Sequence, residues 1–171
     1  ILALAGCSAK AQTSAQAPLV RIGQTTAAPV IDGKLDDAAW KQSIAVGDFS
    51  ITGSKIPASE ATQVRFVYDA HNLYVAWRMQ ESLLVVAQQR MHEVRINARK
   101  HDDDVLSDDS VELFLQPGDN AKMREFDINS IGTLFDAQSE KGDLWKTRDA
   151  SWNSDAKVAG VQEDGYWSAE L

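Results

Sequence analysis

Thr62–Met79 reads TQVRFVYDAHNLYVAWRM. Thr62–Asp69 is dense in β-branched and aromatic residues, which suit a pleated, half-buried strand. Asp69-Ala70-His71-Asn72 has turn chemistry. Leu73–Met79 follows with Leu73, Val75, Trp77 and Met79 on one face. Two strand-like runs around a polar turn predict a β-hairpin.

The same period of two recurs downstream. In Ser110–Gln116, Val111, Leu113 and Leu115 alternate with Glu112, Phe114 and Gln116. In Glu125–Ser130, Phe126 and Ile128 alternate with Glu125, Asp127 and Asn129. Thr133–Ala137, Ala156–Gln162 and Tyr166–Leu171 read as further strands. Helix is scarce. Leu35–Gln42 predicts one or two turns with Trp40 inward, and Leu83–Arg95 fits strand or helix equally. The expected fold is all-β, an antiparallel β-sandwich of jelly-roll type with one or two short helical turns, one face of each sheet buried.

The 171 residues suffice for one domain with a sizeable core. The formal charge is −8, from 25 acids against 17 bases. That sign argues against a nucleic-acid partner, because a phosphate backbone asks for a basic face. It also argues against an anionic membrane surface for the folded part. It suits neutral ligands and Ca²⁺, which takes hard oxygen donors.

Residues 1–6, Ile-Leu-Ala-Leu-Ala-Gly, end in small residues before the sole cysteine, Cys7. This is the composition of a secretory signal's tail. Leu4-Ala5-Gly6-Cys7 resembles a bacterial lipobox, in which the thiol is lipidated and becomes the mature N-terminus. Ser8 follows where an Asp would favour inner-membrane retention, so an outer-membrane lipoprotein is expected, touching the membrane only through its anchor. Residues 8–18, SAKAQTSAQAP, have tether composition. The folded domain is expected over 19–171. The missing initiator Met and the end of the chain inside a strand-like run suggest truncation at both ends.

Four segments carry a family resemblance. They are Ile31-Asp32-Gly33-Lys34-Leu35-Asp36-Asp37-Ala38-Ala39-Trp40; the hairpin core Val64–Val75; Asp108-Asp109-Ser110-Val111-Glu112-Leu113-Phe114; and Phe126-Asp127-Ile128-Asn129 through Gly132, followed by Trp145, Trp152 and Gly165–Leu171. In this order and spacing they resemble the family 9 carbohydrate-binding modules. The resemblance implies a β-sandwich, often with structural Ca²⁺, that binds an oligo- or polysaccharide and is appended to secreted, glycan-degrading proteins. It assigns Glu112 a sugar-binding carboxylate and puts Glu125, Asp127 and Asn129 on the neighbouring polar strand. A family arginine on that strand is replaced by Asp127. Three positions before Asp109, sugar-binding members carry a stacking Trp, and this chain carries Leu106.

A pyranose offers paired hydroxyls to carboxylates and amides, and an apolar C–H face to an aromatic ring. Glu112 and Asn129 fall on polar-facing positions of adjacent strands, which expects them together on one exposed sheet face. Trp77 and Trp167 read as core and Trp40 as a packing plug. Trp145 and Trp152, in the loop-rich DLWKTRDASWNSD, are the candidates for replacement stackers, with packing the simpler reading of each. Asp102, Asp104 and Asp108, in the acidic run after His101, are candidate Ca²⁺ ligands, although the EF-hand spacing is absent.

The sequence has no GxSxG, HExxH or P-loop, and no Cys-His pair outside the lipobox. Glu112, Glu125 and Asp127 could form a glycosidase carboxylate pair, but acids are common enough here for coincidence, and no catalysis is expected. Two alternatives to glycan binding stay open. One is an accessory domain of a periplasmic or outer-membrane system without sugar binding. The other is a haem-binding electron-transfer sandwich using Met79, Met91, His71, His92 or His101, which strong Soret absorption would reveal.

Overall fold

The computed structural model describes residues 19–81, 84–86, 89–91, 94–119 and 121–171. Cys7, the tether and His92 lie outside the described residues. Gly23–Gln24 (β1), Ala45–Val46 (β2), Thr62–Tyr68 (β3), Leu73–Gln80 (β4), Ala159–Glu163 (β10) and Tyr166–Glu170 (β11) form one sheet. Its strand order is β1-β3-β4-β11-β10, with β2 also on β3. Ser110–Leu115 (β7), Met123–Asn129 (β8) and Leu134–Ser139 (β9) form a second sheet in sequence order. Leu84–Val86 (β5) and Gln89–Met91 (β6) pair as a separate small hairpin, so the stretch that fitted strand or helix is extended there.

The expected β3–β4 hairpin forms, with Thr62 opposite Met79 through to Tyr68 opposite Leu73. Asp69 closes it: Oδ1 accepts the amides of His71 (2.7 Å) and Asn72 (2.8 Å), and Oδ2 accepts the Tyr74 hydroxyl (2.6 Å). These bonds fix the turn from a single side chain.

The two sheets pack face to face. Val64, Val75, Trp77, Met79, Trp167 and Ala169 of the larger sheet meet Phe126, Ile128 and Leu134 of the smaller. Val111, Leu113 and Leu115 of β7 pack against this core as their alternation required. The chain is thus an all-β sandwich. Leu73 shares the parity of Val75 but lies at the strand end and stays exposed. Met79, a candidate haem ligand, is buried among these core residues, and His71 sits in the hairpin turn.

Two features depart from the expectation. β1 runs parallel to β3, while the other strand pairs among the described residues are antiparallel. Part of the larger sheet is also buried on its outer face. The one-turn helix Ala38–Gln42 (α1) brings Trp40 and Ala39 onto Val67, Tyr74 and Ala76, making a second core on the outer side. Arg65 Nη1 secures the helix end by donating to the carbonyls of Ser43 (2.8 Å) and Trp40 (3.2 Å).

Candidate functional site

The site is built on the outer face of β7-β8-β9. Glu112 lies opposite Asp127, Phe114 opposite Glu125, and Asp127 opposite Phe135. Directly paired residues point to the same side of a sheet, so these five share one face. On edge strand β7, Glu112 and Phe114 are exposed. On central strand β8, Glu125, Asp127 and Asn129 are fully buried. The expected open polar face is therefore open only along β7.

The cover comes from the chain after β9. Gln138 and Asp149 exchange backbone hydrogen bonds of 3.1 and 2.8 Å, so the returning segment pairs with the edge of β9. Arg148 then reaches over the face. Its Nε and Nη2 donate to the two oxygens of Glu125 at 2.9 and 2.7 Å, and Nη2 lies 3.5 Å from Asp127 Oδ2. The guanidinium sits 4.3 Å from the Phe135 ring centre and 5.7 Å from that of Trp145. Trp145 is 65% exposed. An indole open to solvent thus stands beside a cation locked in a two-point grip.

Sequence reasoning missed Arg148. A signal existed: two acids on alternate positions of a central strand must be buried together, and buried charges need a counter-charge. What the sequence did not specify was which loop would return to supply it.

Asp127 is held in an unusual state. Burial, then the charges of Glu125 and Glu112, push its pKa up to about 8 against the opposing pull of Arg148. Its Oδ1 is buried with no hydrogen-bond partner. Burial and the neighbouring carboxylates thus favour the protonated form, which can donate as well as accept.

Two residues expected at the site are not brought to it. Asn129 Nδ2 donates to Ala98 O and Asp108 Oδ2, both at 2.9 Å, and its Oδ1 accepts the amides of Ile131 (3.2 Å) and Thr133 (2.8 Å). It locks the β8–β9 turn and has no capacity to spare for a ligand. Trp152 lies on the other side of the sheet, edge-on to Phe126 at 6.1 Å and under the Arg124 guanidinium at 4.6 Å. Leu106 sits 40% exposed in the 3-10 turn Val105–Ser107 ahead of β7.

The three candidate calcium ligands do not converge. Asp108 accepts the amides of Asn97 (2.7 Å) and Ala98 (3.0 Å) besides Asn129. Burial alone would raise its pKa, but these donors hold it below the usual value. Asp104 takes the Ser107 hydroxyl, and Asp102 faces His101. Each carboxylate is occupied with a different partner, so this trio does not fit one calcium cage. The acidic run closes a loop through its own backbone and side-chain bonds.

Residues 31–170 match the family described as carbohydrate family 9 binding domain-like. No curated protein matches the chain. Among solved structures, a family 9 carbohydrate-binding module from Caldicellulosiruptor kristjanssonii, in complex with cellotriose, is 16% identical with a TM-score of 0.55. The similarity covers 88% of this chain and 65% of that one, so the chain spans about two thirds of that relative's length. A carbohydrate-binding protein described as putative, from Bacteroides uniformis, is also 16% identical with a TM-score of 0.55, over 87% of this chain and 69% of its own. These likenesses concern the fold. With the family pattern matched from the first strand-entry glycine turn to the last buried glutamate, the chain belongs to the carbohydrate family 9 binding domain-like family.

Proposed function

We propose that the protein is a non-catalytic glycan-binding module whose ligand lies across Trp145, Arg148 and Glu112. The observation that carries this reading is the fixed Arg148 guanidinium between the exposed Trp145 indole and the buried Glu125 carboxylate. A sugar needs an apolar platform for its C–H face, a positioned donor and a free acceptor. Trp145, the outer edge of Arg148 and the open carboxylate of Glu112 offer these three. The net charge of −8 favours a neutral chain over a polyanionic one. Family membership and the cellotriose bound to one relative make β-linked gluco-oligosaccharides the first class to test.

Binding is preferred over hydrolysis for a geometric reason. A glycosidase acid must be free to give its proton to the leaving oxygen. Glu125 is buried and engages Arg148 with both oxygens. In the same proposal, Cys7 carries lipid, residues 8–18 are the tether, and the module works at the outer membrane beside polysaccharide-degrading partners. Mass spectrometry of the full-length product tests the anchor; an unmodified thiol refutes that part.

Calorimetry against neutral oligosaccharides, cellotriose included, tests the binding. Trp145→Ala should remove measurable affinity, and Trp152→Phe should keep it. Equal binding by wild type and Trp145→Ala, or no binding to any neutral glycan, overturns the reading.

A further inference from the structure

Asp136 sits on β9 facing the core and is fully buried. Its Oδ2 accepts the Ser154 amide at 2.8 Å and the Ser154 hydroxyl. Its Oδ1 is buried with no hydrogen-bond partner. A carboxylate oxygen removed from water with nothing to accept is costly. It lies 3.7 Å from His101 Nε2, too far for a hydrogen bond. On the other side of the imidazole, Nδ1 is 3.0 Å from Asp102 Oδ2. The loop that carries this pair is fixed to the sheet, because the Asp102 amide donates to Leu134 O at 3.0 Å.

These distances have a chemical meaning. With Asp102 accepting Nδ1–H, Nε2 keeps a free lone pair and lies 3.7 Å from Asp136 Oδ1. Two donors on one tetrahedral zinc ion, each at its usual bond length, are about 3.4 Å apart. The gap of 3.7 Å is a few tenths wider than that span. A carboxylate behind a metal-bound histidine is the common outer-shell arrangement that fixes tautomer and ring. One donor atom from each of His101, Asp102 and Asp136 lies within 4.8 Å of the others. His101 and Asp102 side chains are 40% and 44% exposed, so an ion can enter from solvent and keep water ligands.

We propose that His101 Nε2 and Asp136 Oδ1 bind a divalent transition-metal ion of the zinc class, with Asp102 orienting the imidazole. Calcium is not the ion, because imidazole is not among its ligands. A bound ion would tie the loop after Lys100 to β9 and, through Asp136, to the Ser154 segment. The same strand edge holds Asp149, next to Arg148, so the metal stiffens the support of the candidate sugar site without entering it. The proposal does not depend on sugar binding.

The test follows the imidazole of His101 by ¹⁵N–¹H NMR while chelator-treated full-length protein is titrated with ZnCl₂. The chain has 3 histidines, so assignment is practical. The bound nitrogen should be Nε2 of His101, with saturation below millimolar zinc. The thermal midpoint should rise with zinc, by ligand linkage, and not with equal CaCl₂. Asp102→Asn should weaken zinc binding about tenfold or more. Asp136→Asn removes a ligand but also weakens the grip on Ser154 and can fail to fold. His101→Gln, at an exposed position, is therefore the decisive variant and should abolish the zinc-dependent rise. If His101 is unmoved by millimolar zinc, its ring only bridges toward two carboxylates and the proposal fails. If the rise persists in His101→Gln, the ion sits elsewhere, at Cys7 or another donor, and the proposal fails as well.

Discussion

Trp40 Nε1 donates to Glu170 Oε1 at 2.6 Å, joining residues 130 positions apart. The other oxygen of Glu170 accepts the amides of Gly33 (2.6 Å) and Asp32 (2.9 Å). Gly33 has φ +86°, and a Cβ there would stand 2.6 Å from Val161 Cγ2. The IDG turn, Trp40 and the glutamate of the last strand are thus parts of one joint. Burial pushes the Glu170 carboxyl up in spite of its three donors. Glu170→Ala should leave the Trp40 indole N–H and the Gly33 amide buried and unpaired and cost about 2 kcal/mol or more, since each buried unpaired donor costs roughly 1–3 kcal/mol. Glu170→Gln keeps acceptor capacity and should lose less. Urea unfolding with an unchanged slope measures both. An Ala variant as stable as wild type would show that the joint holds nothing.

Gly132 and Gly160 bring two backbones together. A Cβ on Gly160 would lie 2.5 Å from Gly132 N and 2.9 Å from Ser130 O. Both obstacles are main chain and cannot rotate away. Gly160→Ala should destabilise by about 1–3 kcal/mol, the usual range for overpacking. The same substitution at Gly23, where nothing lies within 4 Å of the added carbon, should be close to neutral in the same unfolding assay.

Asp127 makes stability depend on pH in a direction unusual for an aspartate. Its pKa is raised from 3.8 to about 8 on folding, so the folded state holds the proton more tightly. Its contribution is fully present below about pH 4 and is lost as pH rises through about 8, at up to about 1.4 kcal/mol per pH unit. Asp127→Asn is neutral at every pH. It should flatten this decline and exceed wild type in stability at pH 9. Unfolding midpoints between pH 4 and 9 measure it; parallel curves for the two proteins would mean that Asp127 is ionised in the fold.

The strands were legible because period-2 alternation reports which side a residue faces. It does not report depth. Asn129 and Asp108 look like surface polar groups in sequence, yet they are buried partners, because the loop around Ala98 closes over them. Tyr74 and Ala76 sit on the side assigned to solvent, and α1 with Ile31 and Leu35 packs over them. β1 is two residues, Gly23 and Gln24, too short for any periodic signal; its parallel pairing is set by β3. Of the candidate site, the exposure of Glu112 and Trp145 could be read from strand parity and loop composition. Arg148 could not, because its partner is chosen by the chain reversal at Gln138–Asp149.

On the proposed reading, Glu112 is the residue where ligand and proton meet. It is exposed, opposite Asp127, and its charge is one of the causes that raise the Asp127 pKa. Its own carboxylate can accept two hydroxyls of one sugar ring, and bonds to a charged acceptor are the stronger kind. Glu112→Gln keeps the shape and removes the charge. Affinity for the bound glycan should fall by about 1.5–3 kcal/mol, the range for a hydrogen bond to a charged group. The titration of Asp127, followed by carboxyl-carbon NMR without ligand, should move to lower pH because a repelling charge is gone. Stability should change little, since the side chain leaves the core. The two readouts separate the causes. If affinity falls and the Asp127 titration stays put, Glu112 contacts sugar but is not coupled to Asp127. If the titration moves and affinity is unchanged, the carboxylates interact as described and the sugar lies elsewhere on the molecule.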